Sequence, residues 1–229
     1  MAKKSPSPWQ RKTEASIAAR EEKRMAVLKA GAEEFRDKGF HNVSLDDIAR
    51  KLGVTKPTLY YYISDKQDIV YASGMAAMEE LKAVIQADDR KKSSGLHSLT
   101  TFFREYVGII AGDFGYCLVM LDENLMGEDR AREFRHGKHE LNDAVRKMLE
   151  RGVRDGSIRS GDMELTSFAL FGAFNWVAKW HKSSSPSIDY IADVFTSVFL
   201  KGIGTASAQA QPNGGTTKIR GKISAKAVR

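Results

Sequence analysis

The chain has 229 residues, of which 42% are hydrophobic and 28% charged, so it is long enough to bury one large core or two modest ones. It contains no apolar run of the roughly 18–20 residues that cross a bilayer, and its first twelve residues lack the apolar segment of a secretory signal. These features argue against a membrane partner and predict a cytoplasmic protein.

The net charge of +7 is concentrated at the two ends of the chain. Residues 1–66 hold 14 Lys and Arg against 9 Asp and Glu, and residues 205–229 hold 5 against none. The intervening residues 67–204 carry a net charge of −3. Such a distribution is expected where only part of a chain meets the phosphates of a nucleic acid.

The amino-terminal region predicts a short arm followed by a long helix. Residues 1–12 contain four cations interrupted by Pro6 and Pro8, which indicates a flexible basic arm that either contacts a nucleic-acid backbone or is an idle terminus. One helix is predicted from Thr13 to Lys38, and Gly39 ends it. Its inner stripe consists of Leu28, Ala32 and Phe35.

A second, shorter helix is predicted to begin at Ser44. Ser44 precedes Asp47 by three residues, so its hydroxyl can accept the amide of the third helical residue while the carboxylate favours the positive helix end. Gly53 can adopt the left-handed conformation that ends a helix. The apolar stripe between these two ends consists of Leu45, Ile48, Ala49 and Leu52.

The turn after Gly53 leads into a third helix that presents an unusual outer face. Thr55 is placed to cap a helix of about eight or nine residues, with Pro57 in its first turn. Tyr60 and Tyr61 remain exposed and offer ring faces to thymine methyl groups and hydroxyls to phosphates, while Lys56 can reach a guanine edge or a phosphate. The inner side of the helix is formed by Leu59, Tyr62 and Ile63.

These residues resemble the amino-terminal domain of the tetracycline-repressor (TetR) family of transcriptional regulators. Ile63 is the one clear departure, because an aromatic side chain is more usual there, and isoleucine keeps the position apolar. The resemblance implies a helix-turn-helix head, in which Ser44 also touches phosphate. The residues that carry it are Asp47, Ile48, Ala49, Gly53, Val54, Thr58, Leu59, Tyr60, Tyr62, Ile63 and Lys66. The candidate DNA-binding residues are Ser44, Thr55, Lys56, Pro57, Thr58, Tyr60, Tyr61, Tyr62 and Lys66.

The rest of the chain predicts further helices and no strand of useful length, so the expected fold is all-α. A connecting helix is predicted from Lys66 to Ala87, and helical segments follow near residues 96–112, 114–126, 129–154, 162–180 and 187–202. We expect a three-helix DNA-binding head over residues 13–65 and a larger ligand-binding and dimerisation domain over residues 66–204. Residues 205–229 lack an apolar stripe and predict a disordered basic tail.

The last two predicted helices have unusually broad apolar faces. In the resembling family these two helices form a homodimer interface, which implies that two heads bind a quasi-palindromic operator. A monomer whose final helices close its own core remains the alternative. The candidate interface residues are Phe168, Phe171, Ala173, Phe195, Val198 and Phe199.

The resemblance also implies a small-molecule effector bound between the middle helices, and no cofactor. Residues 150–162 and 175–182 are similar to regulators of fatty-acid, steroid or other acyl-CoA catabolism, which implies an acyl-CoA effector. Lys182 is a further cation suited to the phosphates of coenzyme A. The candidate ligand-binding residues are Phe102, Phe103, Tyr106, Tyr116, Met120, Leu121, Arg146, Phe174, Trp176 and Lys179.

Two alternatives stand beside this hypothesis. An enzyme is not expected, because the sequence lacks a phosphate-binding loop, a nucleophile elbow and a paired acid motif. His136 and His139 lie on a charged helical face, and we expect no metal site there. A DNA-binding regulator without a small-molecule ligand, controlled by a partner protein or by its own concentration, is the second alternative.

Overall fold

The computed structural model describes residues 8–89, 93–181 and 185–201, and these residues form helices without a strand. The predicted all-α fold is therefore confirmed. The basic tail and Lys182 lie outside the described residues. The helices are α1 Pro8–Lys38, α2 Leu45–Leu52, α3 Lys56–Leu59, α4 Lys66–Asp89, α5 Gly95–Ala111, α6 Gly115–Val119, α7 Glu128–Arg154, α8 Met163–Asn175, α9 Val177–Trp180 and α10 Ile188–Lys201, with 3-10 turns at Phe40–Asn42 and Glu123–Met126.

Three of the helices predicted outside the helix-turn-helix differ from the structure in where they begin or in whether they are continuous. Helix α1 begins at Pro8 and not at Thr13, because proline is well tolerated in the first turn of a helix, so residues 8–12 do not belong to a flexible arm. The segment predicted over residues 114–126 is interrupted, since the carboxylate of Asp122 accepts a hydrogen bond from the amide of Asn124 and starts a new turn. The segment predicted over residues 162–180 is split at Trp176.

Helices α1, α2 and α3 form the head around a shared core. Phe35, Ile48 and Leu59 are fully buried there, and Ile63 is buried beside them. The aromatic ring of Phe40 packs on Phe35, with 5.1 Å between the ring centroids. The predicted inner faces of all three helices are thus confirmed.

Helices α5 to α10 form the body, and α4 connects it to the head. Helix α5 crosses α7 so closely that a Cβ atom on Gly95 would lie 2.0 Å from the backbone nitrogen of Gly152. Helix α4 packs on the amino-terminal half of α7 through two other glycines, Gly74 and Gly137. Cys117 is buried in the same core as predicted, and burial raises the pKa of its thiol to about 12.

Within the part of the chain that the structure describes, every helix is too short or too polar to cross a membrane.

The burial of Leu59 gives a test of the head's core. We expect Leu59→Ala to lower the free energy of unfolding by about 2–5 kcal/mol, because the side chain is fully buried and its removal leaves a cavity. Tyr61→Ala, which removes a side chain that is 73% exposed, is the control and should change stability by less than about 0.5 kcal/mol. Chemical denaturation of the two variants measures both values, and equal destabilisation would contradict the assignment of faces.

Candidate functional site

The start of α2 is fixed by a reciprocal capping box. The amide of Asp47 donates to the Ser44 hydroxyl at 3.2 Å, and the amide of Ser44 donates to the Asp47 carboxylate at 2.9 Å. The Ser44 hydroxyl also donates to this carboxylate at 2.6 Å, and Arg50 contacts it at 2.9 Å. Together these bonds hold the pKa of Asp47 well below its usual range, the hydroxyl of Ser44 contributing most. The predicted cap is confirmed.

The turn between α2 and α3 depends on Gly53, whose φ of 67° lies in the left-handed region. Helix α3 is only four residues long, so the predicted helix of eight or nine residues was wrong. The chain continues as turns whose amides bond to the carbonyls of Thr58 and Leu59. The side chain of Thr55 does not cap α3, because its hydroxyl pairs with that of Thr58 at 2.9 Å.

The short helix still separates buried from exposed side chains as predicted. Tyr60 is 53% exposed and Tyr61 is 73% exposed, whereas Leu59 and Ile63 are buried. Tyr62 is half-buried and packs against the core, so it is a less accessible member of the candidate set. We call the outward side of this segment the recognition face; it consists of Ser44, Thr55, Lys56, Pro57, Thr58, Tyr60 and Tyr61.

Two charged contacts orient the recognition face. Lys56 pairs with Asp46 at 2.9 Å, and this hydrogen bond raises the pKa of Lys56 above its usual value. Arg20 of α1 donates to the backbone carbonyl of Tyr61 at 3.2 Å. Arg20 was not predicted from the sequence, because a contact across 41 positions leaves no local pattern.

Lys66 makes structural contacts that the sequence did not predict. Its ammonium group donates to the backbone carbonyls of Phe40 and Val43 at 2.8 and 2.9 Å, and lies 4.1 Å from the centroid of the Phe40 ring. Burial lowers the pKa of Lys66 below its usual value. Two of its three donors therefore hold the 3-10 turn against the start of α4, and the contact of Lys66 with phosphate stays a prediction.

A cavity of about 500 Å³ lies between α7 and α8. Its apolar lining is formed by Tyr106, Leu118, Val119, Leu141, Phe168 and Phe171. We call the three basic residues of the lining the cationic rim: Arg135, Lys138 and Arg146. Among the polar groups of the lining are also Glu123, His139, Asn142, Asp143, Glu164 and Asn175.

The polar groups around this cavity already pair with one another. Glu123 contacts Lys138 at 2.8 Å and Arg135 at 3.8 Å, and Arg146 contacts Asp143 at 3.1 Å. The hydroxyl of Tyr106 donates to the side-chain oxygen of Asn175. Burial raises the pKa of Tyr106 above its usual value, so this hydroxyl is neutral and acts as a donor.

Only two of the ten candidate ligand-binding residues, Tyr106 and Arg146, line this cavity. Trp176 is 58% exposed and Lys179 is also exposed, which contradicts an inward position for either residue. The other six lie in or against the hydrophobic core and not at the cavity: Phe102, Phe103, Tyr116, Met120, Leu121 and Phe174.

The polar residues that α7 contributes to the cavity were not predicted from the sequence. Arg135, Lys138, His139 and Asn142 recur at helical spacing on one face, and this pattern was available in the sequence. A charged face on a helix usually meets solvent, so the pattern did not by itself indicate a cavity wall. His136, in contrast, contacts Glu140 at 3.5 Å on the exposed side.

The candidate dimer residues fall into two groups. Phe168, Val198 and Phe199 are exposed, whereas Phe171, Ala173 and Phe195 are half-buried. The half-buried aromatic residues pack inward, and the ring of Phe195 lies 5.4 Å from that of Phe174. The exposed apolar side chains of α8, α10 and the turn after α8 form one set, which we call the open apolar face: Leu165, Phe168, Trp176, Tyr190, Val194, Val198 and Phe199.

Relatives of known description are transcriptional regulators, a class without enzymes. The chain is 24% identical over 158 residues to the fatty acid metabolism regulator protein of Bacillus subtilis, covering 67% of this chain and 80% of that protein. It is 26% identical over 161 residues to the helix-turn-helix-type transcriptional activator FasR of Mycolicibacterium smegmatis, covering 69% and 74% of the two chains.

The fold also matches solved structures. The crystal structure of AibR in complex with isovaleryl coenzyme A and operator DNA aligns with a TM-score of 0.67 at 18% identity, covering 76% of this chain and 96% of AibR. Residues 27–72 match the family model of bacterial regulatory proteins of the tetR family, and residues 93–203 match the tetracyclin repressor-like C-terminal domain. The two matches take in both the recognition face and the cavity, and the chain therefore belongs to the TetR family of transcriptional regulators.

Proposed function

We propose that the chain is a homodimeric repressor that binds a quasi-palindromic operator and is released from it by an acyl-CoA effector. The observation that carries the effector proposal is the cavity of about 500 Å³, whose lining combines apolar side chains with the cationic rim. Within the proposal, residues 13–65 are the DNA-binding domain and residues 66–204 bind the effector and the second subunit.

The apolar and the basic residues of the cavity suit the two chemically different parts of an acyl-CoA. An acyl chain gains free energy from contact with Phe171, Leu118 and their apolar neighbours. The phosphates of coenzyme A are anions, and the cationic rim offers Arg146 and Lys138 as partners. The binding of isovaleryl coenzyme A by AibR and the description of the Bacillus subtilis relative as a fatty acid metabolism regulator support this class of effector.

The open apolar face supports the homodimer. Seven large apolar side chains are exposed on α8, α10 and the turn after α8. Exposed apolar surface of this extent marks an interaction site, and a second copy of the same face is the partner that a two-fold arrangement supplies. A pair of heads spaced about one turn of duplex apart would then present two recognition faces to successive major grooves.

A regulator that takes no small-molecule ligand is the competing proposal. The ion pairs of Glu123 with Lys138 and of Arg146 with Asp143 favour it, because they already neutralise the rim without a ligand. A repressor is also not the only regulatory outcome among the relatives, since FasR is described as an activator. Binding of an acyl-CoA thioester, or its absence, separates the two proposals.

The recognition face predicts which variants lose DNA binding. A duplex selected from random sequence by the protein itself serves as the operator. We expect Tyr60→Ala and Lys56→Ala to weaken binding to this duplex about five- to hundredfold without altering the unfolding midpoint, because both side chains are outside the core. Fluorescence anisotropy and thermal unfolding measure the two quantities.

Lys66→Met is the contrasting variant. It should lower the free energy of unfolding of the head by about 1–3 kcal/mol, because two backbone carbonyls lose their donor. The salt dependence of DNA binding should keep its slope. A variant that stays as stable as the parent and loses about one unit of that slope would show that Lys66 is a phosphate anchor after all.

The homodimer is tested by light scattering at micromolar protein concentration. One chain has a mass of 25.5 kDa, and we expect a particle of twice that mass. Val198→Asp should shift the protein towards the monomer, because it places a charge in the open apolar face. Ile17→Asp is the matched control, since Ile17 is also an exposed aliphatic side chain but lies in α1. A parent protein with the mass of a single chain would refute the dimer.

The effector is tested by thermal shift and calorimetry with isovaleryl-coenzyme A and a long-chain acyl-CoA. We expect one of them to raise the unfolding temperature and to release the selected duplex. Arg146→Ala should weaken binding about ten- to hundredfold, because it removes a charged partner of the phosphates. Lys147→Ala changes the neighbouring exposed cation and should bind normally. If neither thioester binds, the regulator without a small-molecule ligand is favoured.

A further inference from the structure

Arg130, in the first turn of α7, reaches across to the segment that links the recognition face to α4. Its guanidinium contacts the Asp65 carboxylate at 3.2 Å, the Ser64 hydroxyl at 3.2 Å and the Asp68 carboxylate at 3.8 Å. We call Arg130, Ser64, Asp65 and Asp68 the clamp. Because Ser64 directly follows the buried Ile63, the clamp holds the chain three residues after Tyr61, the last residue of the recognition face.

The clamp residues of the head also form the cap of α4. The amide of Ser64 donates to the carboxylate of Asp68 at 3.1 Å, and the amide of Asp68 donates to the carboxylate of Asp65. Arg130 therefore binds the groups that fix where α4 begins and at what angle the head leaves it. The carboxylate of Asp68 is mostly buried, so solvent screens its contact with Arg130 less than that of a surface ion pair.

A second layer of contacts surrounds the clamp. The Arg130 guanidinium lies 5.7 Å from the centroid of the Tyr71 ring, and the hydroxyl of Tyr71 donates to Glu133 at 2.6 Å. Arg24 of α1 lies 3.9 Å from the carboxylate of Asp68. The first turn of α7, the first turns of α4 and the middle of α1 thus share one charged network.

Helix α7 interlocks with α4 below the clamp. A Cβ atom on Gly74 would lie 2.5 Å from the ring of Phe134, and one on Gly137 would lie 2.0 Å from the sulfur of Met78. Each helix inserts a large side chain where the other has a glycine, so sliding of one helix past the other is blocked. A displacement of α7 is therefore passed to α4.

The same helix carries the cationic rim of the cavity. Arg135 and Lys138 follow Arg130 by five and eight residues on one continuous helix of 27 residues. Both pair with Glu123, and an anionic effector must compete with this carboxylate for them. Binding in the cavity thus acts directly on the helix whose first turn holds the head.

We propose that Arg130 is the positioning residue that couples the cavity to the recognition face, with α7 transmitting the displacement to the cap of α4. This inference rests on the effector site of the proposed function. A ligand shifts an equilibrium only by its differential affinity for two states, and the clamp is a contact that one arrangement of head and body makes and another breaks.

The decisive quantity is the ratio of the dissociation constants of the selected duplex with and without a saturating concentration of the thioester that binds the parent, isovaleryl-coenzyme A or the long-chain acyl-CoA. For the parent we expect a ratio of about 5 to 150. Arg130→Ala should bring the ratio to within about twofold of one, because effector binding no longer reaches the head. Arg130→Lys, which retains the charge but not the forked geometry, should give an intermediate ratio. A purely structural role would lower stability and leave the ratio unchanged.

Two control variants are matched to the clamp. Arg132→Ala removes an exposed arginine of the same helix turn that pairs with Asp129. Lys29→Ala breaks another ion pair between head and body, the 2.8 Å contact of Lys29 with Asp113, which is open to solvent. Both should keep the parent ratio. A parent-like ratio in Arg130→Ala, or an equal loss in either control, would overturn the proposal.

A measurement without effector separates this proposal from the effector proposal. Spin labels at Asp37→Cys in the head and Lys147→Cys in α7, diluted with unlabelled protein, report the head-to-body distance within one chain; Cys117 is buried and does not compete for label. Arg130→Ala should broaden the distance distribution, and Arg132→Ala should not. If neither thioester binds the parent, the comparison of spin-label distances alone decides. An unchanged distance distribution in Arg130→Ala would then refute the clamp.

Discussion

The continuous buried face of α4 is the constraint on which the arrangement of head and body depends. Ile69 and Val70 near its start are fully buried, and so are Met78 and Leu81 further along the same helix. One helix therefore contributes to a hydrophobic core that runs from the head into the body, and the head cannot reorient without disturbing the packing of the body. The recognition face, the cap of α4 and the cavity are linked by geometry for this reason, whatever molecule occupies the cavity.

Local signals predicted the head well because its elements are defined by short-range chemistry. The Ser44 and Asp47 cap, the left-handed Gly53 and the buried Leu59 all follow from residue type and spacing. The length of α3 did not follow, since its end is set by turns that pack against α1 and α2. The two hydrogen bonds of Lys66 could not be predicted either, because its carbonyl partners lie 23 and 26 positions away.

The cavity was predictable only in outline. Helical periodicity separates one face of a helix from the other, but it does not tell a face that meets solvent from one that meets an internal cavity. The aromatic residues chosen as pocket candidates, such as Phe102 and Phe174, fill the core instead, because large apolar side chains gain most from close packing. The space remained where polar residues of α7 face α8, since paired charges such as Glu123 and Lys138 resist full burial.

Helix α8 contributes side chains both to the cavity and to the open apolar face. Phe168 lines the cavity and is also half-exposed on the face proposed to bind the second subunit. Phe171, one turn further on, lines the same cavity and packs against Phe103 at 5.6 Å between ring centroids. An occupant that moves Phe168 therefore alters the surface offered to the partner. In the proposed dimer, effector binding acts on the head through α7 and on the subunit contact through α8, so the affinities for effector, DNA and partner are linked by two independent structural routes.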